Sequence, residues 1–305
     1  MHNALPEFPV FEKLSLDHKE VLQAIVNSFP SSDFNFAGLF TWDVDEAVHI
    51  SSLNENIVMR SSDYLTHDTF YSFIGDNKVN ETIKTLTEYA KQRGEESKLR
   101  LITESVAKNI DANLHDIDED RDNFDYIFHV SDLVALSGGR NQKRRQKLHR
   151  FKREHGPYIK EVELNLNDET VLKDIKQVMA KWQTSRRKHI NEVRDEFVAI
   201  EKALNHHQTL GMRAFGIYHG QDLIAFQLFE ILPGKIAIGH FEKADAEFED
   251  VFLYLKHAFA EHLSKMDVEI YNTEQDLGVP GMRESKLSYG PASYIKKYTI
   301  TKKSV

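Results

Sequence analysis

The chain has 305 residues, 41% of them hydrophobic and 29% charged, and a formal charge of −9. That length holds about two domains with real cores, and the composition excludes a disordered chain and a bulk polyanion binder. There is no cysteine, which excludes disulfides, thiolate metal sites, iron–sulfur clusters and a cysteine nucleophile, while 14 glycines and 7 prolines are too few for collagen-like, linker-rich or propeller architectures. From Ser15 to Phe29, Leu16, Val21, Leu22, Ile25 and Val26 share one stripe, which predicts a helix ending before Pro30. Phe34–Trp42 (FNFAGLFTW), aromatic and small, reads as a strand, and short strands are expected near Ala47–Ile50, Ile57–Arg60 and Thr69–Ile74. Asn80–Gln92 puts Ile83, Leu86, Thr87 and Ala90 on one helical face, with Gly94 as terminator. A strand at Leu99–Ile102 and a short helix at Glu104–Asn109 come next. The acidic stretch Asp111–Asp125 reads as a solvated loop, because like charges repel and stay hydrated. Phe124–Val130 is the next strand.

After a basic segment, Tyr158–Leu166 alternates as a strand does. Helices are expected over Glu169–Trp182 and Val193–Gln208. Met212–Tyr218, Leu223–Leu232 and Ile236–Phe241, joined by tight turns at His219–Gly220 and Pro233–Gly234, predict an antiparallel meander. Val251–Leu263 is an amphipathic helix with Val251, Tyr254, Leu255, Ala258, Phe259 and Leu263 inward. Val268–Tyr271 reads as a strand, Gly278, Pro280 and Gly281 as a loop, and Tyr294–Ile300 as a final strand. Both halves show antiparallel strands, an amphipathic helix, then another strand. The expected class is therefore α+β, with two domains of like plan.

The start, MHNALPEFPVFEKL, has no basic region leading into a long apolar run, so no signal peptide is expected. No transmembrane helix and no lipidation motif are expected either. The expected location is the cytoplasm, with peripheral contact to a membrane left open. Neither G-x-G-x-x-G after a strand nor a P-loop occurs, and H-E-x-x-H and G-x-S-x-G are also missing. Leu136–Arg140 (LSGGR) has the look of an ABC-type signature, but without a P-loop it carries nothing. His206 and His207 are adjacent, and His257 and His262 are five apart; neither spacing presents two ligands on one helical face, so no metal is expected.

Three segments could carry chemistry. Arg140–Arg153 (RNQKRRQKLHRFKR) holds eight basic residues and no acid, which leaves −17 for the rest of the chain. It is either a solvated helix paired with upstream acids or a polyanion site. Ser137-Gly138-Gly139 leave a helix N-terminus open beside Arg140 and Lys143, a plausible phosphate cradle. Tyr271–Lys297 comes after a strand and clusters Asn272, Glu274, Gln275, Asp276, Arg283, Lys286 and Tyr289, with Gly278 and Gly281 permitting tight backbone; polar loops at strand ends commonly hold small ligands. In His240–Asp245 (HFEKAD), His240 or Glu242 could act as a general base, against the plainer reading of surface residues at a sheet end.

FNFAGLFTW, FDYIFHVSDLVALSGGRNQKRRQKLHRFKREHG, GHFEKAD and YNTEQDLGVPGMRESKLSYGPASYIKKY, in this order, resemble a bacterial family of unknown function that is similar to the C-terminal catalytic region of phosphatidylglycerol lysyltransferases. The resemblance runs from about Phe8 to Thr299, and its last motif is the most specific. It implies two tandem GNAT-like domains, here taken as residues 1–135 and 158–305 with the basic helix, 136–157, at their junction. It also implies kinship with Fem-type transferases, whose donor is aminoacyl-tRNA. Lys143, Arg144, Phe151, Asn272, Glu274, Gln275, Asp276, Gly278, Arg283, Lys286 and Pro291 match the family's characteristic positions. The 305 residues hold no counterpart of the lysyltransferases' flippase-like membrane region. Where classical acetyltransferases carry a glycine loop, this chain reads Asp245-Ala246-Glu247-Phe248-Glu249-Asp250, whose acids suit a helix dipole and repel a pyrophosphate.

The resulting expectation is an aminoacyl- or acyltransferase acting on an amine or hydroxyl acceptor, such as a lipid head group or peptide. Its donor would be aminoacyl-tRNA or acyl-CoA. Glu242, Glu274 or Asp276 is the expected base, and Tyr289 or Lys296 assists the leaving group. Arg140, Lys143, Arg144 and Arg145 would meet the phosphates of tRNA or anionic lipid. Asn272, Gln275, Gly278, Arg283, Lys286 and Lys296 would bind substrate. A CoA-dependent N-acetyltransferase and a non-catalytic RNA- or lipid-binding module are the alternatives.

Overall fold

A computed structural model describes residues 5–26, 31–63, 66, 68–185 and 190–303. In chain order the elements are β1 (Glu12–Lys13), α1 (Lys19–Val26), α2 (Phe36–Trp42), β2 (His49–Leu53), β3 (Asn56–Ser62), β4 (Thr69–Ile74), α3 (Val79–Gln92), β5 (Leu99–Thr103), α4 (Glu104–Ala107), β6 (His115–Glu119), β7 (Asp125–His129), α5 (Val130–Ala135), α6 (Gln142–His155), β8 (Ile159–Leu164), α7 (Glu169–Ser185), α8 (Ile190–Asn205), α9 (His207–Leu210), β9 (Arg213–His219), β10 (Asp222–Leu232), β11 (Ile236–Ala244), α10 (Val251–Lys265), β12 (Ile270–Asn272), α11 (Pro280–Tyr289), β13 (Ser293–Ile295) and β14 (Lys297–Lys302).

The chain divides into two compact units, Met1–Asp125 with Gln275–Arg283 and Tyr294–Val305, and Tyr126–Glu274 with Glu284–Ser293. The sequence reading draws its cuts at 135 and 157. The contacts interleave the two units along the chain and place α6 wholly in the second.

In the first unit the sheet runs β1-β2-β3-β4-β5-β14-β6. β2, β3 and β4 form an antiparallel meander. The chain then crosses through α3 to β5, which pairs parallel with β4. β14 returns from the C-terminus to lie antiparallel between β5 and β6. The apolar stripe of α3, Val79, Ile83, Leu86 and Ala90, is buried on Val58, Tyr71, Phe73, Leu99, Ile102 and Ile300. Burying each of Val79, Ile83 and Leu86 stabilises by about 1.5–3 kcal/mol.

The second unit repeats the plan. β9, β10 and β11 form the meander, α10 is the crossover, and β12 lies parallel to β11. β7 lies antiparallel beyond β12, as β14 does beyond β5. Read from β8, this sheet is β8-β9-β10-β11-β12-β7-β13, matching the first strand for strand. The expected α+β class with two mostly antiparallel, helix-flanked sheets is what the structure has.

Three local expectations need correction. Phe34–Trp42 is not a strand: Phe36–Trp42 is helical, because the Asn35 side chain caps its first turn by accepting from the Gly38 amide at 3.1 Å. A short, mostly buried apolar run gives no periodicity to separate the two readings. The acidic stretch is not all loop, since His115–Glu119 pairs with β14 as a sheet edge, its acids solvated where they discourage further pairing. The loop expected around Pro280 and Gly281 opens α11, with Pro280 at its first position. The expected end of the first helix, Phe29 and Pro30, lies outside the described residues.

Candidate active site in the second unit

β11 and β12 run parallel only as far as Ile238 opposite Asn272. Beyond that pair β11 continues to Ala244, while the other chain turns away at Glu274, whose φ is +58°. The Asn272 side chain fixes this turn by accepting from the Glu274 amide at 2.8 Å. The Glu274 carbonyl accepts from the Tyr126 amide at 3.2 Å and from Lys286 Nζ at 3.1 Å, and Lys286 also donates to the Thr273 carbonyl. Lys286 therefore braces the turn.

Glu242 lies on the diverging part of β11. Its Oε2 is 3.5 Å from Lys256 Nζ on α10. Burial works against the charge of Lys256, but Glu242 and Tyr289 hold its pKa above the ordinary value, so it is an ammonium and a donor. Lys256 Nζ lies 5.1 Å from the centre of the Tyr289 ring, and the Arg144 guanidinium lies 4.2 Å from the same ring. Arg144 also donates to Ser288 Oγ at 2.6 Å and to Asn141 Oδ1 at 2.9 Å. Arg140 rests against Gly290, where a Cβ would come 1.9 Å from its guanidinium nitrogen and where φ is +71°. Glu242, Lys256, Tyr289 and Arg144 thus form one chain of polar groups from the opened strand to the start of α6, with Arg140 packed beside its end at Gly290. Nearby, burial and then Glu242 and Glu274 push the Tyr271 phenol far up, so it stays protonated and donates to Gln227 Oε1 at 3.3 Å.

The basic helix is not one uniform surface. Lys147 and Arg150 are spent on the acids before α10: Lys147 reaches Asp250 at 2.8 Å, and Arg150 reaches Glu249 at 2.6 Å and Asp250 at 2.5 Å. These partners replace the upstream acids expected from sequence. Arg145 donates to the carbonyls of Leu136 and Gly138, at 2.5 and 3.0 Å. Among the described residues, Arg140 and Lys143 have no ion pair, and both are exposed.

The remaining expected residues belong to the first unit. Asp276 is fully buried and receives Arg283 twice, at 2.9 and 2.7 Å, with Arg121 at 3.4 Å and the Gly278 amide at 2.9 Å. Arg283 also reaches Asp122 at 2.6 Å, and these carboxylates raise its pKa further. A Cβ on Gly278 would lie 2.9 Å from Asp122, in a backbone with φ +72°. Gln275 donates to Asp33 at 2.6 Å, and Lys296 pairs with Glu119 at 2.5 Å on the surface. These contacts close the loop after β12 rather than leaving its groups open.

Sequence reasoning missed Lys256, which sits one position off the inward stripe of α10. It also missed Glu230, the second carboxylate on His240 at 3.0 Å. Lys297 escaped too: it is fully buried with Asp125 and Asp33, and its signal was a lysine on the inward alternation of a terminal strand.

The arrangement of an antiparallel meander, crossover helix and parallel strand pair that diverges over a carboxylate and cations is that of a tandem GNAT-like fold. The chain belongs to the family of phosphatidylglycerol lysyltransferase C-terminal regions, matched over residues 25–301. It is similar to a conserved protein of unknown function from Bacteroides thetaiotaomicron (21% identity, 96% of this chain and 99% of the other, TM-score 0.80) and to L-PGS from Bacillus licheniformis (12% identity, 100% and 95%, TM-score 0.62). A tandem GNAT protein from the clavulanic acid biosynthesis pathway shares the fold at TM-score 0.50 (10% identity, 96% and 98%). Comparison with curated proteins finds no match. No helix among the described residues is long and apolar enough to cross a membrane.

Proposed function

We propose that this chain moves an aminoacyl group from tRNA to an amine or hydroxyl of a lipid head group, working in the cytoplasm against a membrane face, with the chemistry at Glu242 and Lys256. The observation that carries this reading is the Glu242–Lys256 pair where β11 leaves β12. Of the three candidate bases, Asp276 is saturated by two arginines, and Glu274 is bonded to His240 at 2.8 Å. Among the described residues, Glu242 faces one ammonium, at 3.5 Å.

Glu242 takes the proton of the attacking amine or hydroxyl. The acceptor atom bonds to the ester carbonyl carbon, and the ammonium of Lys256 steadies the oxyanion that develops there. The ester C–O bond then breaks, and the departing ribose oxygen takes a proton from the phenol of Tyr289, whose ring lies beside Lys256. Arg140 and Lys143 serve phosphates of tRNA or lipid. A CoA donor is disfavoured by the acids before α10, which Lys147 and Arg150 occupy where a pyrophosphate would need open amides.

The test is transfer from a panel of charged tRNAs to phospholipid vesicles and peptides. Glu242→Gln and Lys256→Met should each lower kcat by about 100-fold or more with the fold intact. Wild-type rates in Glu242→Gln overturn the assignment of the base. Salt-sensitive RNA binding without turnover from any donor favours the binding-module reading instead.

A further inference from the structure

We propose that His240 is a positioning residue, an imidazolium locked between Glu230 and Glu274 that sets the course of β11 into Glu242 and holds the turn at Glu274. The Glu242 arm of this inference rests on the function proposed above.

The first observation is register. Leu228 of β10 pairs with Phe241, yet the next residue, Phe229, pairs with Gly239. His240 is therefore the extra residue of a β-bulge, a device that bends a strand and re-aims the side chains beyond it. Glu242 is two residues further on. The second observation is that both ring nitrogens meet carboxylates: Nδ1 is 2.8 Å from Glu274 Oε1, and Nε2 is 3.0 Å from Glu230 Oε1. A carboxylate only accepts, so two such bonds require a proton on each nitrogen, which is the charged ring. The third is burial. The imidazole is fully buried and Glu230 nearly so. Removing either acid would strand charge away from water.

Glu274 is the other end of the lock. It is not glycine, yet its backbone is left-handed, a conformation that persists only where the surroundings impose it. Asn272 and Lys286 hold its backbone, and His240 holds its side chain. The charged groups acting on the ring are Glu230 from β10 and Glu274 from the segment after β12. Burial alone would depress its pKa, but the two acids raise it to about 10. The cation is thus present at every physiological pH and is lost only as pH rises through that value.

The experiment is NMR on the full chain with labelled histidine rings, His240 being assigned by the signal missing from His240→Gln, or by the signal that moves in Glu230→Gln if the former does not fold. Wild type should show both ring nitrogens protonated from pH 7 to pH 9, and a neutral tautomer at pH 7.5 overturns the lock. In Glu230→Gln the titration should fall by about one pH unit or more, and the backbone amides of Glu242 and Glu274 should shift with the same midpoint. Amides that ignore the ring's titration overturn the positioning role, whether or not any transfer is detected. Where transfer is measurable, the alkaline limb of kcat in Glu230→Gln should move down with the ring, giving at least a 10-fold loss at pH 9 and under 3-fold at pH 7. An unmoved limb with moving amides would instead count against Glu242 as base, and so against the proposed function rather than the lock.

Discussion

Lys297 is a lysine with no access to water, and that is expensive unless its charge is met. It is met twice, by Asp125 and by Asp33, and Asp125 also accepts from the Ser32 amide and hydroxyl at 2.9 and 2.6 Å. Burial opposes the charge, but the two acids hold its pKa above the ordinary lysine value. Burial in turn raises Asp33, partly offset by Lys297. These groups come from the segment before α2, the start of β7 and the start of β14, so a single cation joins three distant stretches of the first unit. Lys297→Met keeps the length of the side chain and leaves two carboxylates facing each other out of water. We expect it to cost about 3–5 kcal/mol, read as a lower urea midpoint at unchanged slope. Loss of less than 1 kcal/mol would mean that the triad is not a net support. The same logic separates Asp276 from Glu242: a carboxylate with four donors is a strut, and one with a single ammonium at 3.5 Å can still accept a proton.

At the scale of elements, α6 is where a sequence-level charge count and the folded charge diverge. The eight basic residues of Arg140–Arg153, all but Arg140 on α6, suggest one polyanion face, but Lys147 and Arg150 neutralise Glu249 and Asp250, and Arg144 and Arg145 serve neighbouring side chains and carbonyls. What remains open at its beginning is Arg140 and Lys143. If these hold phosphates, Arg140→Ala/Lys143→Ala should weaken RNA binding across sequences and reduce the slope of log affinity against log salt by about 2. Lys147→Ala/Arg150→Ala should change that slope less, and equal slopes for both pairs would refute the division of the helix.

Legibility divides along the same line. Elements with a period, such as α3, α10 and the β9–β11 meander, could be read from sequence because one buried face repeats at fixed spacing. α2 could not, because Phe36, Ala37, Gly38, Leu39 and Thr41 are all buried and the deciding signal was one asparagine cap. In the candidate site, Glu242 and Tyr289 could be picked out from sequence as candidates because they lie in or near recognisable motifs. Lys256 was hidden, because an amphipathic helix with a lysine beside its stripe reads as a snorkelling surface residue.

At the scale of the molecule, two units of like plan were legible from element order, and the exchange that completes each sheet was not. β14 belongs beside β5 although almost two hundred residues separate them, and nothing local in YIKKYTI names its partner. The exchange makes a specific demand. β5 and β6 do not pair with each other; each pairs with β14. Deleting residues 297–305 therefore removes the strand that joins them, opens two edges and withdraws Lys297 from Asp33 and Asp125 in one step. Deleting 303–305 leaves β14 intact and serves as control. In the longer deletion, the amides of β2 to β5 should lose most of their hydrogen-exchange protection, and thermal unfolding of the first unit should disappear. The shorter deletion should leave both near wild type. Retained protection in β4 and β5 without β14 would show that the meander and α3 suffice as a folding unit, and that the returning strand decorates the sheet rather than completing it.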